Sequence, residues 1–209
     1  MTVSATRLLL RELTSLAGPL PDFDPDTAEA TPQAQFLAWL REAIAAGVRE
    51  PHAMTLGTVA PDGRPDARVL ILKDLDAHGW HFATSRHSPK GAQLANNASA
   101  TLTFYWPALG RQVRIRGEVI DQGADVAAAD FWARSEQARA NASLARQSQP
   151  MDPEASSSPA GISESAAGWV VYAVRPSAVE FWQGRTDRRH TRLLYTPDRE
   201  GWTKEQLWP

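Results

Sequence analysis

The feature that most limits the folds open to this chain is the alternation in Gln112-Val113-Arg114-Ile115-Arg116. Successive side chains of a strand point to opposite faces, so Gln112, Arg114 and Arg116 share one face while Val113 and Ile115 share the other. Short segments of this kind recur from His52 onward, with turn signals between them. Ala53 to Ala60 reads as a strand, Pro61-Asp62-Gly63-Arg64 as a hairpin turn and Ala67 to Lys73 as the returning strand. Trp80 to Thr84 follows, then Ser99 to Trp106 and Gln112 to Ile120, joined across Pro107 to Gly110. Further strands are expected at Trp169 to Val174, Ala178 to Trp182, Arg192 to Tyr195 and Trp202 to Leu207, with Asp198-Arg199-Glu200-Gly201 as the last turn.

Helices fall between these strands. Thr31-Pro32 reads as an N-cap with proline at the first helical position, Phe36, Leu37, Leu40 and Ile44 recur at helical spacing, and Gly47 suits the stop. Ser88-Pro89 opens a short helix to about Asn96, and Ala124 to Ala145 reads as one or two helices. Residues 151–167 lack periodicity and read as an exposed loop, part of a Pro-, Ser- and Ala-rich stretch from Gln149. Residues 1–30 form a lead segment with a short helix near Ala5 to Ala17, and 31–209 form the main domain. Antiparallel strands with inserted helices predict a mainly β fold: a small barrel with peripheral helices. No glycine fingerprint follows a strand, so a dinucleotide fold is disfavoured.

Composition excludes several chemistries. The 209 residues contain no cysteine, which removes disulfides, thiol nucleophiles, zinc–thiolate sites and iron–sulfur clusters. No metal site is expected. A formal charge of −2 gives no bias towards nucleic acid or an anionic membrane, so any anion recognition is local. Leu8-Leu9-Leu10 between Arg7 and Arg11 is too short for a signal-peptide core or a membrane span, which makes a cytoplasmic location the default expectation.

Four groups could carry chemistry. Arg68 and Lys73 bracket an apolar strand, but their opposite parity requires a bulge, or Lys73 beyond the strand end. Thr84-Ser85 with Ser88-Pro89-Lys90-Gly91 gathers hydroxyls, a helix start and a lysine, a plausible phosphate cradle that ordinary capping also explains. Gln112 offers an amide with donor and acceptor. Glu180-Phe181-Trp182-Gln183-Gly184-Arg185, followed by Arg188, Arg189, His190 and Arg192, collects cations that are costly to hold without an anionic partner.

In this order the segments resemble the pyridoxamine 5′-phosphate oxidase family. The matching stretches are Glu50 to Met54, Asp62 to Pro65, Arg68 to Lys73, Lys90-Gly91, Phe104 to Gln112, Arg146 to Pro150 and Glu180 to Arg192, within roughly 33–209. The resemblance implies an FMN-binding split β-barrel whose homodimer interface holds the cofactor, each site built by both subunits. It implies cofactor contacts at Arg68, Val69, Leu72, Lys73, Ala83, Thr84, Lys90, Gln112, Gln147, Ser148, Trp182 and Arg192. It also implies substrate contacts at Lys73, Arg134, Arg188 and His190, the last two being the catalytic pair. Arg68 and Lys73 stand roughly 16 Å apart at ~3.3 Å per residue, about the reach from the phosphate of FMN to its ring. The implied reaction is oxidation of pyridoxamine or pyridoxine 5′-phosphate to pyridoxal 5′-phosphate, as in pyridoxine biosynthesis, with dioxygen as acceptor and hydrogen peroxide as product. A deazaflavin is set against by Gln112 and Trp182.

The sequence departs from the family at defined places. The usual Ser-Arg-Lys is Ser88-Pro89-Lys90 here, so one phosphate-binding arginine is missing. The tyrosine and serine expected at the substrate phosphate fall at Asp130 and Ala138, where a carboxylate would repel a phosphate and a methyl offers no hydrogen bond. These changes keep two alternatives open. One is a related flavin oxidase acting on another small molecule, such as a dihydrophenazine carboxylate; the other is a non-catalytic flavin- or pyridoxal-phosphate-binding module.

Overall fold

The computed structural model describes residues 4–144, 147–152, 154 and 157–209. Nine strands form one curled antiparallel sheet: β1 (Ala53–Val59), β2 (Pro65–Ile71), β3 (Asp74–Asp76), β4 (Gly79–Ser85), β5 (Ser99–Trp106), β6 (Arg111–Asp121), β7 (Trp169–Gln183), β8 (Thr191–Pro197) and β9 (Trp202–Leu207). The order is β2-β1-β5-β6-β7-β4-β3, with β8 pairing β7 and β9 off this path. The two edges of the path are consecutive in sequence. Leu72 N–H donates to His52 O at 2.9 Å, and the next residue, Lys73, donates to His81 O of β4 at 2.8 Å. Two residues thus carry the chain from one edge to the other and curl the sheet into a split barrel. Lys73 lies beyond the end of β2, which resolves the parity conflict with Arg68.

The sequence suggests separate strands at 169–174 and 178–182, but β7 runs unbroken through both. Its register with β6 shifts between Arg116 and Gly117, where Arg116 pairs Ala178 and Gly117 pairs Pro176. Ser177 is the extra residue, and its hydroxyl donates to Arg116 O at 3.1 Å. A bulge admits a proline into a strand and bends it, so one strand serves both halves of the barrel.

Among the described residues, six helices sit around the sheet: α1 (Ala5–Glu12), α2 (Pro32–Ala45), α3 (Pro89–Asn96), α4 (Ala124–Ala133), α5 (Glu136–Ser143) and α6 (Pro159–Ala167). Thr31 caps α2 as expected, accepting from Ala34 N–H. Phe36, Trp39 and Ala43 of α2 are buried with Trp80, Phe104, Trp106 and Phe181 of the strands. Edge-on ring contacts join them, with Phe36–Phe104 centroids at 4.7 Å and Trp39–Phe181 at 5.2 Å. The loop expected over 151–167 is corrected in part: residues 159–167 form α6, capped by Ser158, whose hydroxyl accepts from Gly161 N–H at 3.1 Å. Four alanines and glycines in that helix hid its apolar period. Arg146 and residues 153, 155 and 156 lie outside the described residues.

Candidate active site

A cleft of about 660 Å³ opens beside β4 and the start of β7, roofed by α5, α6 and residues 147–152. β4 contributes Ala83, Thr84 and Ser85, β2 contributes Leu70, and the start of α3 contributes Ser88 and Lys90. The Ser88 hydroxyl accepts from Gly91 N–H at 3.1 Å, donates to Ser85 O at 2.7 Å and lies 3.3 Å from the Thr84 hydroxyl. Gly91 permits this junction. A Cβ there would stand 2.5 Å from the carbonyl oxygens of both Ser85 and Arg86.

Lys90 is the group that defines the cleft. It is only 4% exposed, yet among the described residues its ammonium has no hydrogen bond or ion pair. Burial pushes it below the ordinary lysine range, nearby Arg68 pushes it the same way, and Asp66 opposes them. An unpartnered buried cation is costly unless a ligand supplies the counter-charge. Arg68 approaches from β2, but its guanidinium is already held by Asp66, Thr58 and Gln93, with Gln93 Oε1 at 3.1 Å. Gln93 Nε2 also donates to Asp66 at 3.2 Å, so a partly buried network fixes Arg68 beside Lys90.

In the same cleft Arg134 stacks on Trp169, with its guanidinium carbon 4.2 Å from the ring centre, and donates to Ala138 O at 3.2 Å. The Trp169 indole donates to Asp130 at 2.8 Å, and Asp130 pairs with Lys73 at 2.9 Å. Of the two cations expected at a substrate phosphate, Lys73 is engaged by a carboxylate, whereas Arg134 is held by a carbonyl and an indole with its buried Nε unpartnered among the described residues.

Of the remaining expected positions, Gln147 lines the cleft, whereas Ser148 does not and adopts a left-handed backbone at φ 65°. Leu72 is half-buried, and Val69, 66% exposed, lies on the opposite face of β2 from Arg68. Gln112, Trp182, Arg188, His190 and Arg192 do not line this cleft. They gather at the far end of β7. Gln112 pairs Trp182 across β6 and β7, and Trp182 pairs Arg192 across β7 and β8. The Trp182 and His190 rings lie 4.9 Å apart, and His190 Nδ1 accepts from Arg185 N–H at 3.1 Å. Arg192 donates to Glu180 at 2.9 Å, which raises it above its usual range. Arg188 sits at φ 66°, exposed, with no carboxylate paired to it among the described residues.

This second group is braced from below by residues to which the sequence assigned no individual role. Arg111, buried, bonds Gln183 Oε1 at 2.9 Å and Glu42 at 2.6 Å and stacks on Trp39 at 4.3 Å. Gln183 in turn donates to Leu109 O at 3.0 Å. Their adjacency to Gln112 and Gly184 was the available signal. Among the described residues no cluster of His, Asp and Glu could hold a metal, and no helix is long and apolar enough to cross a membrane.

A sequence model described as pyridoxamine 5′-phosphate oxidase matches residues 40–183, and one described as the pyridoxine 5′-phosphate oxidase C-terminal dimerisation region matches 169–209. The chain is 43% identical over 191 residues to a pyridoxine/pyridoxamine 5′-phosphate oxidase of Bordetella avium, covering 87% of this chain and 91% of that protein. It is 42% identical to the protein of that name from Bordetella petrii, covering 88% and 92%. Among solved structures, PhzG of Burkholderia lata 383, in complex with tetrahydrophenazine-1-carboxylic acid, superposes with a TM-score of 0.79 at 30% identity, covering 92% of this chain and all of that one. A pyridoxamine 5′-phosphate oxidase-related, FMN binding protein of Nostoc punctiforme shares the fold, with a TM-score of 0.66 at 20% identity over 87% of this chain and 100% of that one.

Proposed function

The chain belongs to the pyridoxamine 5′-phosphate oxidase family, and from that premise we propose that it is an FMN-dependent oxidase working as a homodimer. The observation that carries the cofactor reading is the buried Lys90, its ammonium unpartnered among the described residues, in a cleft with the Thr84 and Ser88 hydroxyls. That donor set fits a phosphate monoester: one cation and hydroxyls at a helix start. Thr84, Ala83, Lys90 and Gln147 would hold the phosphate and ribityl end, with Arg68 adding charge from behind.

The ring end is completed by a second copy. Trp169 at the cleft and Trp182 stand at opposite ends of β7, on the order of 40 Å of extended chain apart. Gln112, Trp182 and Arg192 of one subunit would meet the cofactor held by the other, consistent with the match of residues 169–209 to a dimerisation region.

Bound FMN would supply hydride acceptance from the carbon bearing the substrate's amine or alcohol, with reoxidation by dioxygen to hydrogen peroxide. The protein's part is orientation and charge. Arg188, with no carboxylate paired to it among the described residues, holds the substrate over the ring. His190, whose Nδ1 is fixed by the Arg185 amide, presents its other ring nitrogen to hold or relay a proton. The preferred substrate is pyridoxamine or pyridoxine 5′-phosphate, the substrate class in the names of its 40%-identical relatives.

One observation favours a second reading, a different small-molecule substrate. Asp130 already occupies Lys73, so the site carries an internal anion where a substrate phosphate would sit. The solved relative with tetrahydrophenazine-1-carboxylic acid gives one chemical type for comparison. Purified protein should show an oxidised-flavin spectrum and release peroxide with pyridoxamine 5′-phosphate. A colourless preparation that takes up no FMN removes both oxidase readings. Flavin without peroxide release on that substrate, but with it on a dihydrophenazine carboxylate, selects the second.

A further inference from the structure

We infer that His87 is a phosphate ligand of this chain's flavin site, taking the place of the arginine that Pro89 has removed. The inference rests on the FMN reading above and assigns a residue that the family pattern does not supply. His87 lines the same cleft as Lys90 and Ser88, immediately before the helix cap. Its ring has a prepared seat. A Cβ on Gly168 would lie 2.8 Å from His87 Cδ2 and 2.9 Å from Nε2, so the imidazole edge rests where any other residue would carry a side chain. Gly168 itself sits at φ −86° and ψ −5°, a conformation open to every residue. A side chain at Gly168 would displace the exposed His87 ring from this position.

The other cations nearby are committed elsewhere. Arg86 is turned away to Asp121, and its backbone N–H holds Gly168 O at 2.9 Å. Arg68 is tied to Asp66 and Gln93; Arg134 lines the cleft as well, but it stacks on Trp169 and donates to Ala138 O. Among the described residues Lys90 is the cation at the helix start, while proline at the first helical position stiffens that start and offers no side-chain donor. An imidazole presents one N–H when neutral and two when protonated. Placed one residue before the Ser88 cap, it offers a dianion an N–H contact beside the Lys90 ammonium.

The test is equilibrium titration of the full-length apoprotein with FMN and with riboflavin, read by flavin fluorescence. His87→Ala should weaken FMN about tenfold, the size of one charge-assisted hydrogen bond, and riboflavin by less than twofold. Gly168→Ala, which displaces the ring, should move both affinities the same way. Adding Pro89→Arg to His87→Ala should restore FMN binding. An FMN affinity unchanged within twofold overturns the inference. So does an equal loss for riboflavin, which would make His87 a packing residue, and so does failure of Pro89→Arg to rescue. Wild-type protein that binds neither flavin sinks the flavin reading as well, whereas wild type that binds FMN as well as the His87→Ala variant does sinks this inference alone.

Discussion

Replacing Lys90 with methionine separates what a buried cation does for a ligand from what it does to the fold. Lys90 is 4% exposed and its ammonium lacks a hydrogen bond or ion pair among the described residues, so no partner there offsets its partial desolvation. Methionine has similar length and no charge, so the unliganded protein should gain stability, at about 2–4 °C of Tm for each kcal/mol in a domain of this size. Binding should change in the opposite direction. A hydrogen bond to a charged group contributes about 1.5–3 kcal/mol, so FMN should bind about 10- to 150-fold more weakly. The pH dependence follows from the sign of the shift. Lys90 in the folded apoprotein holds its proton less tightly than an ordinary lysine at 10.5, so between the depressed value and 10.5 the unfolded chain binds more protons. Stability of the apoprotein therefore rises with pH across that window, and Lys90→Met flattens the rise. Calorimetry of the apoprotein and fluorescence titration with FMN measure the two effects on one preparation. An FMN affinity changed less than threefold, or an apoprotein Tm that falls, refutes the reasoning.

Two further substitutions test the neighbouring architecture. Asp130→Asn frees Lys73 from its 2.9 Å partner, and kcat/KM for pyridoxamine 5′-phosphate should rise about three- to tenfold through KM; no change would show that Lys73 does not face the substrate. Tyr195→Phe removes the bond from the buried phenol to Glu29 O at 2.8 Å and should cost about 0.5–1.5 kcal/mol by denaturant unfolding. Burial pushes the Tyr195 phenol up to about 12, so the folded protein keeps that proton longer than the unfolded chain. Wild-type stability should then fall between pH 10 and 12, and the phenylalanine variant should lack that share of the fall.

The barrel was legible because strand alternation survives in the sequence wherever one face is buried: Val113 and Ile115 inside, Arg114 and Arg116 outside. Continuity was not. Pro176 reads as a break, and only the register with β6 reveals a bulge that absorbs it. Helix α6 was hidden because Ala160, Gly161, Ala166 and Ala167 carry too little side chain to mark a face. At the site, the hydroxyl–lysine group around Ser88 was visible as spacing. The departure at Asp130 was visible as a substitution, but not its consequence, since pairing with Lys73 and Trp169 joins residues from three separate segments. Gln93 and Gly168 gave no signal at all. Their roles, fixing Arg68 and seating His87, exist only once β2, α3 and the start of β7 are packed together.

The placement of the two residue groups at opposite ends of β7 makes the dimer testable by complementation. Lys90 belongs to one end, Arg188 to the other, and on the proposed assembly each active site takes Lys90 from one subunit and Arg188 from its partner. Lys90→Met and Arg188→Ala homodimers should each be nearly inactive at limiting FMN and substrate. Mixing them after unfolding and refolding gives about half heterodimers by random pairing in a two-fold assembly. In each heterodimer one site receives both intact residues and the other receives both substituted ones. Activity should therefore recover to about 25% of wild type, since half the dimers carry one working site of two. Sites built within single subunits would recover nothing, because every subunit in the mixture lacks one of the two groups. A recovery well below the quarter, with heterodimers demonstrated in the mixture, would place the Arg188 loop over its own chain's cleft and require β7 to bend far more sharply at Ser177 than one bulge allows.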